Sequence, residues 1–195
     1  LKKAWKEKFF SHKGEFYTYP SPNFVWQHDM SPPSEEFMNT KTNILEKISI
    51  VPRPIQQPHP PLHQVVDSPR SIEWAAKNRI NTIMWIPTVQ ALKKRFEIYK
   101  NARSEAEKRN VEMGEGVSLV RDMFIADSME EAREKAGENM VNYMRWVCHW
   151  RGLGTHMNPG EELPKTENKL DLLTYDFLHK RNMLFGTVDY VIDKI

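Results

Sequence analysis

The sequence predicts an α/β protein, and three observations carry that prediction. From residue 62 onward, short apolar runs alternate with longer segments of helical period. Gly, Pro, Asn or Ser bounds most of these runs. The 195 residues suffice to bury a real core and suggest one domain, 1–195. Strands that alternate with helices argue parallel βαβ units. Periodicity does not separate a barrel from an open doubly wound sheet.

The elements follow in order. Residues 1–10 read as the tail of an amphipathic helix, with Trp5, Phe9 and Phe10 as its apolar side. A turn at 11–14 leads to a short alternating strand, 15–19. Residues 21–43 are rich in Pro, Ser and Asn and read as a surface excursion. Residues 44–51 are apolar and β-branched enough to pair as a strand. Pro52, Pro54, Pro58, Pro60 and Pro61 then hold an extended path with few backbone donors. A strand is predicted at 62–67 and a helix at 69–78, with proline in its first turn. A buried strand at 81–86 precedes a long helix at 88–109, with Leu92, Phe96 and Tyr99 on one side. Residues 116–126 read as a strand. Ser128 and Glu131 stand in the S-x-x-E relation that opens a helix, here running to about Trp150. Residues 152–169 are polar and rich in Gly and Pro, as a mobile loop would be. Residues 170–184 read as helical or mixed, and 189–195 as the start of another helix.

Composition excludes several classes. Lys+Arg is 28 and Asp+Glu 26, a net charge of +2, which leaves no electrostatic footprint for nucleic acid. The single cysteine, Cys148, excludes an internal disulfide and fits a reducing cytoplasm. It reads as an inert helix residue. No run approaches the ~20 apolar residues that span a bilayer. LKKAWKEKFF lacks the apolar core of a signal peptide. The chain opens on Leu and stops at DKI within a helical pattern, so it reads as a segment of a longer protein.

The most informative stretch is 51–76, VPRPIQQPHPPLHQVVDSPRSIEWAA. A proline-stiffened lead-in reaches a short strand; the strand ends in Asp67-Ser68 and a helix begins at once. The first N–H groups of a helix lack partners and carry partial positive charge, so such a corner suits an anion. The bland reading is an N-cap, and the two are compatible.

PRPIQQPHPP, the strand, and DSPRSIEWAA together resemble the bacterial-luciferase-like, flavin-dependent monooxygenases. FSHKGEFYTYP (10–20) and MFIADSMEEAREKA (123–136) support the resemblance, in matching order and spacing. It implies a partial (β/α)8 TIM barrel, with the first half and the final strand missing. It implies an enzyme that uses reduced FMN and O2 to oxygenate an apolar organic molecule such as an aldehyde or alkane. A separate flavin reductase would supply the FMN, and two barrels would pair as a dimer. Asp67, Ser68 and Ser71 fall where the family holds the flavin phosphate: the serines through hydroxyls, Asp67 through its N–H with the carboxylate turned away. Val65 and Val66 would lie under the ring system, and Trp85 or Ile86 beside it. No catalytic residue is named, because the resemblance places the family's histidine in the other half. Loop 152–169 would be a lid that keeps water from the cofactor.

Other features read blandly. Arg70 is a solvated helix residue. His59 and His63 are separated by prolines and lack a third ligand, so no metal is expected. His149, Trp150, Arg151 and His156 flank the lid as an ordinary helix end. Met140, Tyr143, Met144, Val147 and Trp150 form a packing stripe. Residues 105–112 are a solvated helix end. The family usually has Gly where this chain has Asn78-Arg79, and Asn is expected to take the left-handed turn. Gly186-Thr187-Val188 stands where the family has Gly-Thr-Pro or Gly-Ser-Pro. Two alternatives share this framework: an oxidoreductase using the deazaflavin F420, and a non-catalytic flavin-binding or half-barrel module.

Overall fold

The computed structural model describes residues 1–163 and 168–195. Where length suggested one domain, the backbone clusters into two compact units, Leu1–Pro61 and Leu62–Ile195.

The first unit is built from short pieces. Helix α1 spans Lys2–Lys6, shorter than the sequence suggested. Strands β1 (His12–Lys13) and β2 (Thr18–Tyr19) pair antiparallel, so only the end of the 15–19 run is a strand. Strands β3 (Met38–Asn39) and β4 (Ile44–Leu45) form a second hairpin. The surface excursion thus carries a strand, whose Met38 is buried. Ile48 bridges Phe10 through paired backbone bonds of 2.9 Å.

The second unit is βαβ throughout. Strands β5 (His63–Val65), β6 (Asn81–Trp85) and β7 (Val117–Val120) lie parallel in that order. Strand β8 (Asp122–Ile125) follows β7 after Arg121 and pairs in parallel with β9 (Met183–Gly186). The run predicted as one strand, 116–126, is therefore two ladders with different partners. Within each of these two parallel sheets the strands stand in sequence order without a reversal. That succession belongs to a (β/α)8 barrel, whereas a doubly wound sheet reverses at a switch point. The change of partner along 117–125 is the stagger that barrel closure demands.

Helices α2 (Pro69–Lys77) and α3 (Val89–Glu107) connect β5, β6 and β7. Ile72, Ala75 and Ala76 are fully buried and meet Met84, Leu92 and Tyr99 in one core. A second core joins β9 to α5 (Glu138–Arg151) and α6 (Tyr175–His179), through Val141, Met144, Leu173, Leu178 and Phe185. The helix predicted from Ser128 begins as α4 (Met129–Ala132) and passes through a π-helical turn, Arg133–Gly137, before α5. Ser128 caps it by accepting from the Glu131 N–H at 3.0 Å; Glu131 accepts in turn from Asp127 N–H at 3.0 Å. The expected stripe on α5 is split. Met144 and Val147 are buried, while Tyr143 and Trp150 face solvent. Strand β9 is a correction, since 170–184 read as helical or mixed. Helix α7 (Val188–Lys194) follows it, capped by Thr187.

The helix stop at 78–79 also differs from expectation. Arg79, not Asn78, takes the left-handed conformation, at φ 56°. Its N–H donates to Ala76 O and that of Ile80 to Ala75 O, at 3.0 and 2.9 Å, which closes the helix end. These two bonds define the turn, so the residue at this step bears the strain whatever its type. Arg79→Gly is expected to raise stability by about 0.5–1 kcal/mol, since left-handed φ penalises any Cβ. The denaturant midpoint at unchanged m-value measures it. A drop would mean that the exposed bond from Arg79 to Ala106 O outweighs the strain.

Candidate functional site

The corner after β5 is a complete N-cap. Ser68 Oγ accepts from Ser71 N–H at 3.2 Å, and Ser71 Oγ accepts from Ser68 N–H at 3.1 Å and Asp67 N–H at 3.3 Å. The two hydroxyls stand 3.2 Å apart on the exposed side. Ser71 Oγ also donates to Ser68 O at 2.8 Å, so the corner is preorganised by its own bonds, and the Ser71 hydroxyl must give up this bond to donate to a ligand.

Asp67 differs from the sequence reading. Its N–H, assigned there to the phosphate, is engaged by Ser71, and its carboxylate faces two cations. Arg95 Nη1 of α3 stands 3.3 Å from Oδ1, and Arg151 Nη2, at the end of α5, 3.7 Å from Oδ2. Arg151 also lies over the Trp85 ring, 5.5 Å from its centroid. Asp67, Arg95, Arg151 and Trp85 therefore share the C-terminal ends of β5 and β6. Val65 is 62 % exposed, and Val66 is buried in the first core, on the other side of the strand. Arg70 is exposed.

The tip of β6 is strained and braced. Ile86 holds φ 75°, an outlier for a β-branched residue. Met84 and Ile86 would share one face of an extended strand. Instead Met84 enters the first core and Ile86 the second. This leaves Trp85, not Ile86, at the surface of the tip, half-buried against Tyr143. Asn182 Nδ2 donates to Ile86 O at 2.6 Å, and Arg121 donates to Pro87 O. Strain of this kind persists where its surroundings over-determine it.

The same Asn182 Nδ2 meets His156 Nδ1 at 2.9 Å. His156 is fully buried, and its Nε2 has no partner among the described residues. Burial, reinforced by the Arg181 charge, depresses its pKa to about 4 against an opposing Asn182 contact. At neutral pH the ring is therefore uncharged. Burial raises the Asp122 carboxyl, against the pull of the Trp85 indole and Arg121. Burial likewise pushes the Cys148 thiol up to about 11, so it is unreactive as a nucleophile.

Sequence reasoning named Ser68, Ser71 and Trp85, which the structure brings to the ends of β5 and β6, but not Arg95 as a partner of Asp67. It read Arg151 and His156 only as loop flanks. No local signal marks these three, because the strand order brings them to the tips. His59 contacts Pro60 O through Nδ1 at 2.8 Å, and His63 lies by Asn81. Of loop 152–169, residues 164–167 lie outside the described residues; Leu153, His156 and Met157 are buried. Among the described residues, no helix is long and apolar enough to cross a membrane.

A family model described as luciferase-like monooxygenase matches residues 1–195. The oxygenase component of a flavin-dependent trigonelline monooxygenase from Acinetobacter baylyi is 25 % identical over 199 residues, covering 100 % of this chain and 47 % of its own. Among solved structures, one similar fold is the oxygenating constituent of 3,6-diketocamphane monooxygenase from Pseudomonas putida, a type II Baeyer–Villiger enzyme in complex with FMN. It aligns at TM-score 0.61 and 19 % identity, over 100 % of this chain and 49 % of its own. Monooxygenase RslO1 from Streptomyces bottropensis aligns at TM-score 0.58 and 18 % identity, over 99 % and 46 %. The chain spans about half the length of these proteins.

Proposed function

The chain belongs to the luciferase-like monooxygenase family, and from that premise we propose that it forms part of the oxygenase component of an FMN-dependent monooxygenase. One observation carries the reading: a serine pair caps a helix at the end of β5, next to the end of β6 that presents Trp85. Ser68 and Ser71 hold the phosphate through their hydroxyls, Val65 lies under the ring system, and Trp85 flanks it. Asp67 sets the corner's geometry through its N–H and is screened by Arg95. The bound FMN, when reduced, supplies the reaction with O2, and the protein positions it and excludes water. The loop after α5 provides that exclusion. Val65, Met123 and Ile125 expose apolar surface on these strands and favour an apolar organic substrate. A separate reductase delivers the reduced flavin, in keeping with the two-component naming of the A. baylyi relative. We place the protein in the cytoplasm, as a dimer of barrels.

Replacing both serines by alanine, in the protein that carries this chain, is expected to weaken FMN binding ten- to a hundredfold. That matches the loss of two charge-assisted hydrogen bonds at roughly 1.5 kcal/mol or less each. Alanine also removes the cap, so a second variant separates the two roles. Ser68→Asp keeps a capping acceptor but sets a negative charge against the phosphate. It is expected to retain thermal stability and lose FMN. Fluorescence titration with FMN reads both, and unchanged affinity in the two variants would sink the assignment.

A further inference from the structure

The Asp67 carboxylate poses a problem for any phosphate held at Ser68. A negative charge one residue away repels a dianion unless it is offset. The structure offsets it twice. Arg95, the more buried guanidinium with 17 % of its side chain exposed, makes the shorter contact at 3.3 Å. Arg151 approaches the other carboxylate oxygen only to 3.7 Å and is 37 % exposed. At that distance its N–H groups are not spent on Asp67, because hydrogen bonds of this kind run at 2.7–3.2 Å. Its guanidinium carbon lies over the Trp85 ring, 5.5 Å from the centroid, and the side chain keeps 37 % exposure, so its N–H groups are open to a ligand. The three charged groups sum to one net positive charge, so the corner attracts an anion that Asp67 alone would repel.

We infer that Arg151 is a cation of this chain that engages the phosphate of the flavin nucleotide, with Arg95 retained as the partner that holds Asp67 aside. The inference rests on the proposed FMN site and adds to it a residue from a distant helix end. The planar fork of Arg151 matches a pair of phosphate oxygens, and its cation–π contact with Trp85 limits the freedom lost on binding. Because Arg151 ends α5 and Gly152 opens the following loop at φ 72°, phosphate binding also tethers the start of that loop.

The test compares FMN with riboflavin, which lacks the phosphate, in the protein that carries this chain. The wild type is expected to prefer FMN. Arg151→Met is expected to weaken FMN about ten- to a hundredfold while riboflavin changes less than about twofold. Arg151→Lys keeps the charge but not the fork and is expected to fall between. Asp67→Asn removes the repulsion and is expected to tighten FMN several-fold. Arg70→Met, an exposed cation on the first turn of the same helix, is expected to leave FMN unchanged. If Arg151→Met leaves the FMN preference intact while the Ser68 and Ser71 variants abolish it, the role of Arg151 is overturned and the FMN site stands. The same holds if Arg70→Met, not Arg151→Met, carries the loss. An equal loss of both flavins would assign Arg151 to the ring system and overturn it too. A wild type with no preference for FMN would overturn the site and the inference together.

Discussion

Between pH 6.5 and pH 4 the protein is expected to lose about 3 kcal/mol of stability through His156 alone. The folded protein binds a proton at this ring only near pH 4, whereas the unfolded chain binds it near 6.5. Between those values the unfolded state holds more protons, so unfolding becomes easier as pH falls. The contribution is fully present above pH 6.5 and is lost through pH 4. The cause is burial: charging a ring with no exposed surface, beside Arg181, gains no compensating anion at Nε2 among the described residues. Arg181 is itself held by Glu161 at 2.6 Å, so that carboxylate is already committed. Other carboxylates also lose native interactions in acid, Glu131 and Glu161 among them, because hydrogen bonds hold both below their usual range. A variant isolates the histidine from these. His156→Gln keeps an acceptor for Asn182 and cannot titrate. Denaturant midpoints taken from pH 7.5 to 4.5 should fall more steeply for the wild type than for His156→Gln. Parallel slopes would show that the ring finds a partner when charged. The expected damage is local as well as global, since His156 and Ile86 share Asn182 and the strained strand tip depends on that brace.

What the sequence made legible follows the range of the interactions. The caps at Ser68 and Ser128 act within four residues, and each was readable from residue type and spacing. Strand β6 was readable because NTIMWI is apolar, β-branched and bounded. Strand β9, MLFG, has no β-branched residue, and only its parallel partner β8 makes it a strand. The left-handed step fell on Arg79 because the two closing bonds, not residue preference, set the turn. The serine pair of the candidate site belongs to the local class. The guanidiniums on Asp67 belong to the other class, since α3 and α5 reach that carboxylate only after the strands are ordered. Ile86 shows the limit most clearly. Its strain is invisible in composition and exists because Asn182, from the turn before β9, captures its carbonyl.

Gly116→Ala is expected to cost about 2–4 kcal/mol, summing backbone strain and overpacking. Gly116 holds φ 75°, where any L side chain is strained. An added Cβ would also lie 2.8 Å from Tyr99 Oη and 3.0 Å from Asn81 Oδ1. Neither neighbour yields easily. Tyr99 is 1 % exposed, donates to Ile80 O at 3.1 Å and accepts from Arg103 at 3.0 Å. Moving its hydroxyl would break both bonds and disturb the core shared by α2 and α3. The Gly116 carbonyl also accepts from Thr82 N–H at 2.9 Å, which starts the β6–β7 ladder. Gly114 supplies the control. It has nearly the same conformation, φ 86°, but its Cβ would meet only Phe96, at 3.7 Å. Gly114→Ala should therefore show the backbone strain alone, about 1 kcal/mol. The difference between the two variants, read from denaturant midpoints, is the steric part. Equal losses would mean that Tyr99 can shift without cost, and that the hydroxyl bonds joining α3 to the strand ends do not hold this register.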